Sequence, residues 1–318
     1  MISRGRYFKK FYAAVFLLVL SSIIVMLYKE AFSLLGEIFL ITLALLFAGI
    51  AVYTVFNNYR NSPKVEVNDD SITFNRTKKY YWKDIEKIEM TGKWPFDFWG
   101  NKKEGVLLKF KGERERYIFD DMYFNVPTVK THIQNIAVQK GFLEPTPERS
   151  IHFANAADGN FKFYDGRQLC SFSGIVLWGM ILMLVLAGLV DLFEKQHIVL
   201  IIFAPIFSLM ALILLSMQMK YFAVSEKLFL IKTHNFFWLK TIYKLSDIRE
   251  VVFELAKGRM VNYTLRIIFN DFTTATYPAA TLWSKTWLQL KADLESKGIK
   301  VRNECVTYEP FEFKLFND

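Results

Sequence analysis

Four long apolar blocks constrain this chain more than any other feature of its sequence. They run over residues 11–28, 32–56, 172–193 and 198–218, and the segments between them have ordinary globular composition. An α-helix needs roughly 20 apolar residues to cross a bilayer, and each block is close to that length. The pattern therefore predicts four transmembrane helices arranged in two hairpins.

Basic residues beside these blocks predict the orientation of the hairpins. Arg60, Lys64 and Lys162 flank one set of helix ends, whereas the first hairpin connection offers only Lys29 and Glu30. Because Lys and Arg resist translocation, both termini and both large intervening domains are predicted to be cytoplasmic, at a bacterial inner membrane. The net charge of +9 is accounted for in this way, so no nucleic-acid partner is expected.

The region after each hairpin carries the same pattern, which indicates an internal repeat. In each copy, an alternating strand leads through a turn to a second strand that ends in an Asp-Ile pair. The pair is Asp84-Ile85 in the first copy and Asp247-Ile248 in the second. Further alternating strands follow, and each repeat closes with an amphipathic helix, predicted over 127–140 and 282–297. Two F-x-F strings, at 161–163 and 311–313, are each predicted as an added strand. The second is alternatively a tail peptide that binds a partner.

The order strand, turn, strand with W-x-D-I-x-x-I, meander and C-terminal helix resembles bacterial pleckstrin-homology-like domains that follow pairs of transmembrane helices. Trp82, Asp84, Ile85 and Ile88 carry the motif, and Leu245 replaces the tryptophan in the second copy. The resemblance implies two α+β domains, each a small β-barrel or sandwich capped by a C-terminal helix. It implies little about function.

Together these features predict five segments. They are a transmembrane hairpin over 1–57, a first cytoplasmic domain over 58–150, a linker over 151–170, a second hairpin over 171–219 and a second domain with its tail over 220–318.

No catalytic or cofactor motif is present in the sequence. It lacks HExxH, GxSxG, the phosphate-binding GxxxxGK[ST] and GxGxxG. The four histidines are scattered, and Cys170 and Cys305 belong to no paired spacing. Asp120 and Asp121 are adjacent, so their side chains point apart and are expected to serve a turn. The sequence thus predicts a non-enzymatic protein without a cofactor or metal.

Two aromatic loops beside positive charge are the most suggestive surface features. Trp and Phe partition to the headgroup boundary, and Lys attracts anionic lipid. Such loops either hold a domain against lipid, dock a protein partner or cover the end of their own domain. The candidate contact residues are Lys93, Trp94, Phe96, Phe98, Trp99, Lys102 and Lys103 in the first loop and Phe236, Phe237, Trp238 and Lys240 in the second.

The sequence therefore favours a non-enzymatic scaffold or regulator whose paired domains bind membrane lipid or a protein partner. A homo-oligomer is left open. One alternative is a membrane immunity or defence component. A second alternative is a transporter or channel, for which Glu37, the one ionisable residue inside a predicted span, would be the first residue to test.

Overall fold

A computed structural model gives the fold of the chain. It describes residues 15–23, 34–97, 100–145, 160–164, 166, 171–194, 206, 208–210, 212–213, 215–236, 238–255 and 263–305. The chain divides into two compact units, Met1–Pro145 (unit 1) and Thr146–Asp318 (unit 2).

Unit 1 begins with apolar helical segments. Residues 15–23 are helical, and helix α1 runs over Leu34–Asn61. The Ser21 hydroxyl donates a hydrogen bond of 3.0 Å to the Ala44 carbonyl, which joins the two segments. Seven strands and one further helix follow: β1 (Val65–Val67), β2 (Ser71–Phe74), β3 (Lys78–Tyr81), β4 (Ile85–Glu89), β5 (Lys93–Pro95), β6 (Lys102–Phe110), β7 (Arg116–Phe119) and α2 (Val126–Gln139).

The strands of unit 1 form two antiparallel sheets. One has the order β1-β2-β3, and in the other β6 pairs with β4, β5 and β7. A short 3-10 turn, Trp82–Asp84, leads from β3 to β4. The alternating apolar residues of these strands and of α2 meet in a core that includes Ile72, Trp82, Phe110 and Ile133, all of which are buried.

Unit 2 is built from one described strand before helix α3 (Phe172–Glu194) and from seven described strands and a further helix after it. The strand before α3 is β8 (Lys162–Tyr164). After α3 come β9 (Lys220–Val224), β10 (Leu228–Thr233), β11 (Lys240–Lys244), the 3-10 turn Leu245–Asp247, β12 (Ile248–Leu255), β13 (Tyr263–Phe269), β14 (Thr274–Pro278), α4 (Ser284–Ser296) and β15 (Lys300–Asn303).

Two four-stranded sheets enclose the core of unit 2. Their orders are β11-β10-β9-β8 and β14-β13-β12-β15, and β15 runs parallel to β12. Helix α4 packs against both sheets through Trp287, Leu290 and Leu294, which are buried. The Trp287 ring meets the Phe253 ring edge to face at 4.4 Å, a geometry that aromatic pairs favour.

The prediction of four transmembrane helices in two hairpins is wrong. Among the residues that the structure describes, one helix is long and apolar enough to cross a membrane, judged by length and composition alone, and it covers Ile41–Asn61. In α3 the apolar helical stretch is Gly174–Leu186. The apolar blocks of the sequence therefore overstated the number of membrane-crossing helices in the part of the chain that the structure describes.

Parts of the predicted spans lie outside the described residues. These parts are 11–14 and 24–28 in the first block, 32–33 in the second, and most of 198–218 in the fourth. The predicted localisation, an integral protein of the bacterial inner membrane with both termini cytoplasmic, depended on counting four spans. With one candidate helix the charge argument for that topology no longer holds, and this prediction is wrong as well.

The resemblance to pleckstrin-homology-like domains is not confirmed, and the fold class built on it is wrong. The chain is α+β with several separate, mainly antiparallel sheets, and in unit 2 strand β15 adds a parallel pairing after the helix. The residues of W-x-D-I-x-x-I form the 3-10 turn Trp82–Asp84 and the start of β4. They therefore specify a local turn between two strands.

Several local predictions are confirmed. The closing helices were expected over 127–140 and 282–297, and they occupy Val126–Gln139 and Ser284–Ser296. The F-x-F string at 161–163 contributes to strand β8, whereas the string at 311–313 lies outside the described residues. Both units share the order of three strands, a 3-10 turn, further strands and a helix.

Candidate functional site

The first aromatic loop packs against its own unit. The Trp94 indole donates a hydrogen bond of 3.0 Å to the Gly105 carbonyl and stacks on the Tyr117 ring at 5.9 Å. Phe96 is buried and meets Phe119 edge to face at 5.2 Å. Of the three interpretations left open by the sequence, these contacts fit the one in which the loop covers its own domain.

The lysines of this loop have different environments. Lys103 is buried, with its ammonium group 2.6 Å from the Asp121 carboxylate and 3.7 Å from the centre of the Phe96 ring. Lys93 is half-buried in β5, and Lys102 is exposed. Phe98 and Trp99 lie outside the described residues. A buried lysine that is held by a carboxylate and a ring is a structural group rather than a contact for a ligand.

The second aromatic loop, residues 234–240 of unit 2, is more open. Trp238 is 59% exposed and Leu239 is 45% exposed, and Lys240 is also exposed. Phe236 is half-buried and supports the Trp238 ring edge to face at 5.4 Å. Phe237 lies outside the described residues. The two loops look alike in the sequence, but the first is packed against its own unit and the second is exposed.

Hydrogen bonds fix this second loop to the end of the apolar segment that precedes β9. The Asn235 side-chain amide donates to the Ser216 hydroxyl at 2.5 Å, and the His234 backbone N–H donates to the Met219 carbonyl at 3.0 Å. Next to these residues, Met217 is exposed. The loop thus lies where an apolar helical stretch meets the sheet.

Trp283 belongs to the same end of unit 2. The Thr281 hydroxyl donates a hydrogen bond of 3.0 Å to the Lys220 carbonyl, and Lys220 is the register partner of Thr233, the residue before the loop. Two residues beyond Thr281, Trp283 is 49% exposed at the start of α4. We call the exposed residues of this end the aromatic end; they are Trp238, Leu239, Lys240, Trp283 and Lys285.

Polar groups beneath the aromatic end are partly desolvated. The Tyr221 hydroxyl and the His234 Nδ1 atom are 2.7 Å apart. Burial lowers the pKa of His234 and raises the pKa of Tyr221. Burial also lowers the pKa of Lys220, whose ammonium group donates to the Thr233 hydroxyl at 2.8 Å. Each shift favours the neutral form of its side chain.

Sequence reasoning missed several charged and aromatic contacts. Asp120 and Asp121, expected to serve a turn, accept bonds from Lys130 and Lys103, respectively, and both lysines are buried. Trp283 was missed because it lies before a helix and outside any aromatic run. The signal in the sequence was the opposite one, because Trp283 lies inside the helix predicted over 282–297 and four residues before Trp287, a spacing that predicts a core-facing residue.

Within the residues that the structure describes, no three His, Cys, Asp or Glu side chains lie close enough together to hold a metal ion. No protein-family model matches this chain. No curated protein sequence is significantly similar to it.

Proposed function

We propose that this chain is a non-enzymatic binding protein whose unit 2 docks on an anionic lipid surface through the aromatic end. The observation that carries the proposal is the exposure of Trp238 and Leu239 beside Lys240, on a loop bonded to the end of an apolar helical stretch. Scaffolding or regulation at that surface would follow from the docking.

The composition of the aromatic end suits the boundary between headgroups and acyl chains. Indole rings are apolar with one polar N–H group, and they concentrate at that boundary in membrane-associated proteins. Lys240 and Lys285 are both exposed and would lie near the headgroups. Each basic residue near an anionic surface contributes about 1 kcal/mol at low ionic strength.

The position of the loop also favours lipid over a protein partner. The apolar residues Ile213 and Met217 are exposed in the helical stretch before β9, to which the loop is hydrogen-bonded. In a protein interface, exposed aromatic residues are usually ringed by polar ones. Exposed apolar residues next to lysine are typical of segments that lie in a lipid interface.

The engagement of buried carboxylates supports the non-enzymatic part of the proposal. Glu250 is almost fully buried, and its carboxylate lies 3.2 Å from the Arg302 guanidinium and 3.6 Å from the Lys300 ammonium. Glu254 is held by Arg266 at 3.2 Å. Both carboxylates therefore face cations on neighbouring strands of their own sheet, so they are engaged within the fold.

A site-specific fluorophore tests the proposal. In the full-length chain, Cys170 and Cys305 are replaced by serine and Leu239→Cys carries an environment-sensitive dye. With vesicles of phosphatidylcholine and phosphatidylglycerol, we expect the dye emission to shift to the blue and to be quenched by lipids labelled in the acyl chain. Raising the salt concentration is expected to weaken the response, because Lys attraction is screened.

The matched control places the same dye on an exposed aromatic position of unit 1. Phe124 is 72% exposed, so a dye at Phe124→Cys reports general adsorption of the chain to vesicles. A response at Leu239 with none at Phe124 supports docking through the aromatic end. Equal responses at the two positions, or no response at Leu239, overturn it.

A further inference from the structure

A cavity of 750 Å³ opens at the end of unit 2 where the β9–β10 turn, the 3-10 turn after β11 and the end of α4 converge. Its volume lies within the range of sites for small molecules. Four basic side chains line it, Lys227, Lys244, Arg249 and Lys297, against one acidic side chain, Glu226. We propose that this cavity binds a phosphate-bearing anion.

Unit 1 provides an internal comparison for this end of unit 2. The Trp82 N–H donates to the Asp70 carbonyl at 3.1 Å, and the Leu245 N–H donates to the Lys227 carbonyl at 2.9 Å. The same backbone bond in the same turn makes Asp70 and Lys227 equivalent positions. At this position unit 1 therefore carries a negative charge and unit 2 a positive charge.

A second position shows the same reversal. Strand β4 has a register shift between Ile85 and Lys87, and β12 has one between Ile248 and Glu250. The residues inside these irregularities are Glu86 and Arg249, which are therefore equivalent. Bulges redirect side chains and are common beside binding sites.

In unit 1 both of these acidic side chains, Asp70 and Glu86, pair with lysines. Lys140 follows helix α2 and lies 3.6 Å from Asp70, and Lys109 lies 3.1 Å from Glu86. Lys297 is the corresponding residue after α4, because each lysine precedes a glycine with positive φ. In unit 2 the position of Asp70 is occupied by Lys227, so two cations line the cavity where unit 1 has an ion pair.

Arg249 is held in place before any ligand binds. Its guanidinium lies over the Phe272 ring at 4.4 Å from the centre, a cation–π contact. Phe272 is buried with a φ of 61°, a conformation that bulky residues rarely adopt. Strain of this kind is kept where the surroundings demand a fixed side chain.

The charge of Arg249 is partly desolvated. Burial lowers the pKa of its guanidinium, and Glu250, adjacent in sequence, acts in the opposite direction. Arg remains protonated in proteins at neutral pH, so a partly buried cation is retained. Guanidinium and ammonium groups around one cavity match the charge and the acceptor oxygens of a phosphate group.

Titration calorimetry of the full-length chain with glycerol 3-phosphate tests the soluble source of the phosphate group. We expect binding to the unaltered protein and a weakening of about tenfold or more in Arg249→Gln, since a charge-assisted hydrogen bond contributes 1.4 kcal/mol or more. Lys227→Asp places in unit 2 the acidic residue that unit 1 has at the equivalent position, Asp70. This variant is expected to fold and to lose binding of glycerol 3-phosphate. Lys291→Gln, on α4 but outside the cavity lining, is the matched control and keeps full affinity.

Vesicles that contain phosphatidic acid distinguish a lipid headgroup from a free phosphate. Binding to these vesicles that depends on Arg249, with no binding of glycerol 3-phosphate, assigns the cavity to a headgroup. Binding of neither probe, or equal losses in Arg249→Gln and Lys291→Gln, overturns the proposal. Trp238→Gln separates the two sites, because it is expected to weaken docking of the aromatic end and leave glycerol 3-phosphate binding unchanged.

Discussion

The Tyr164 hydroxyl donates a hydrogen bond of 2.5 Å to the Asp293 carboxylate and so joins strand β8 to helix α4. Lys162, on the same strand, reaches the same carboxylate at 2.6 Å. These bonds fasten an edge strand of three residues that has little pairing of its own. Burial and the bond to Asp293 raise the pKa of Tyr164, so the donor stays protonated at neutral pH.

Tyr164→Phe is expected to destabilise unit 2 by about 1.5–3 kcal/mol, the usual range for a hydrogen bond to a charged group. The free energy of unfolding from urea titration measures the loss. Tyr81→Phe is the matched control. Tyr81 is 45% exposed, so removing its hydroxyl should lower the free energy of unfolding only slightly. A loss below about 0.5 kcal/mol for Tyr164→Phe would contradict the role assigned to this bond.

Lys130→Met tests the buried ion pair of unit 1. Lys130 is 2% exposed and lies 2.8 Å from Asp120, so its removal leaves a partly buried carboxylate without this cation. If both partners were completely buried, the free energy of unfolding would fall by about 3–5 kcal/mol. Asp120 is partly exposed, so we expect a loss of about 2 kcal/mol. Lys140→Met, on the exposed pair after the same helix, is expected to cost under about 0.5 kcal/mol.

A double-mutant cycle separates the pair from its surroundings. Combining Lys130→Met with Asp120→Asn removes both charges, and the double variant is expected to be more stable than the sum of the two single losses implies. Unfolding free energies that are simply additive would show that the ion pair contributes nothing of its own.

Gly105→Ala tests the close approach of β6 and β7. A Cβ atom at this position would lie 2.6 Å from the Ile118 carbonyl oxygen, a backbone atom that cannot rotate away. We expect a loss of about 2 kcal/mol from the resulting displacement of the strands. Gly49→Ala in helix α1 is the control, since nothing lies within 4 Å and helix propensity predicts a gain of up to about 1 kcal/mol. Thermal unfolding of the two variants should therefore shift in opposite directions.

His234 makes the stability of unit 2 depend on pH. Its folded pKa is lowered from 6.5 by burial, so on acidification the unfolded chain takes up this proton first. Stability is expected to fall as the pH drops below 6.5 and to continue falling until the folded pKa is reached. His234→Gln should flatten the stability profile as the pH falls below 6.5. An NMR titration that places the imidazole pKa above 6.5 would reverse the predicted sign.

Local features of the fold could be predicted because they depend on neighbouring residues. Pro127 at the first turn and Gly141 with a φ of 76° set the ends of α2, and both are visible in the sequence. Alternating residues in β6 and β13 indicated buried strands in the same way. The prediction of four spans was wrong because the composition of an apolar block does not by itself establish a helix that crosses a membrane.

The two aromatic loops show why a site is harder to predict. The Trp94 indole donates a hydrogen bond to the Gly105 carbonyl, and the Phe96 ring contacts the Lys103 ammonium group, which forms an ion pair with Asp121. These contacts form only when strands β5, β6 and β7 pair, so loop composition could not distinguish the packed loop from the exposed one. The basic cavity was missed for the same reason, because its lysines come from separate turns that only the fold brings together.

The bond between Tyr164 and Asp293 also has a consequence for synthesis of the chain. The two residues are 129 positions apart, so strand β8 leaves the ribosome on the order of ten seconds before its carboxylate partner is made. During that interval the apolar helix α3 is synthesised before the strands β9–β14 that follow it in the chain. A chain truncated before Asp293 would therefore carry β8 without the carboxylate that holds this edge strand in place.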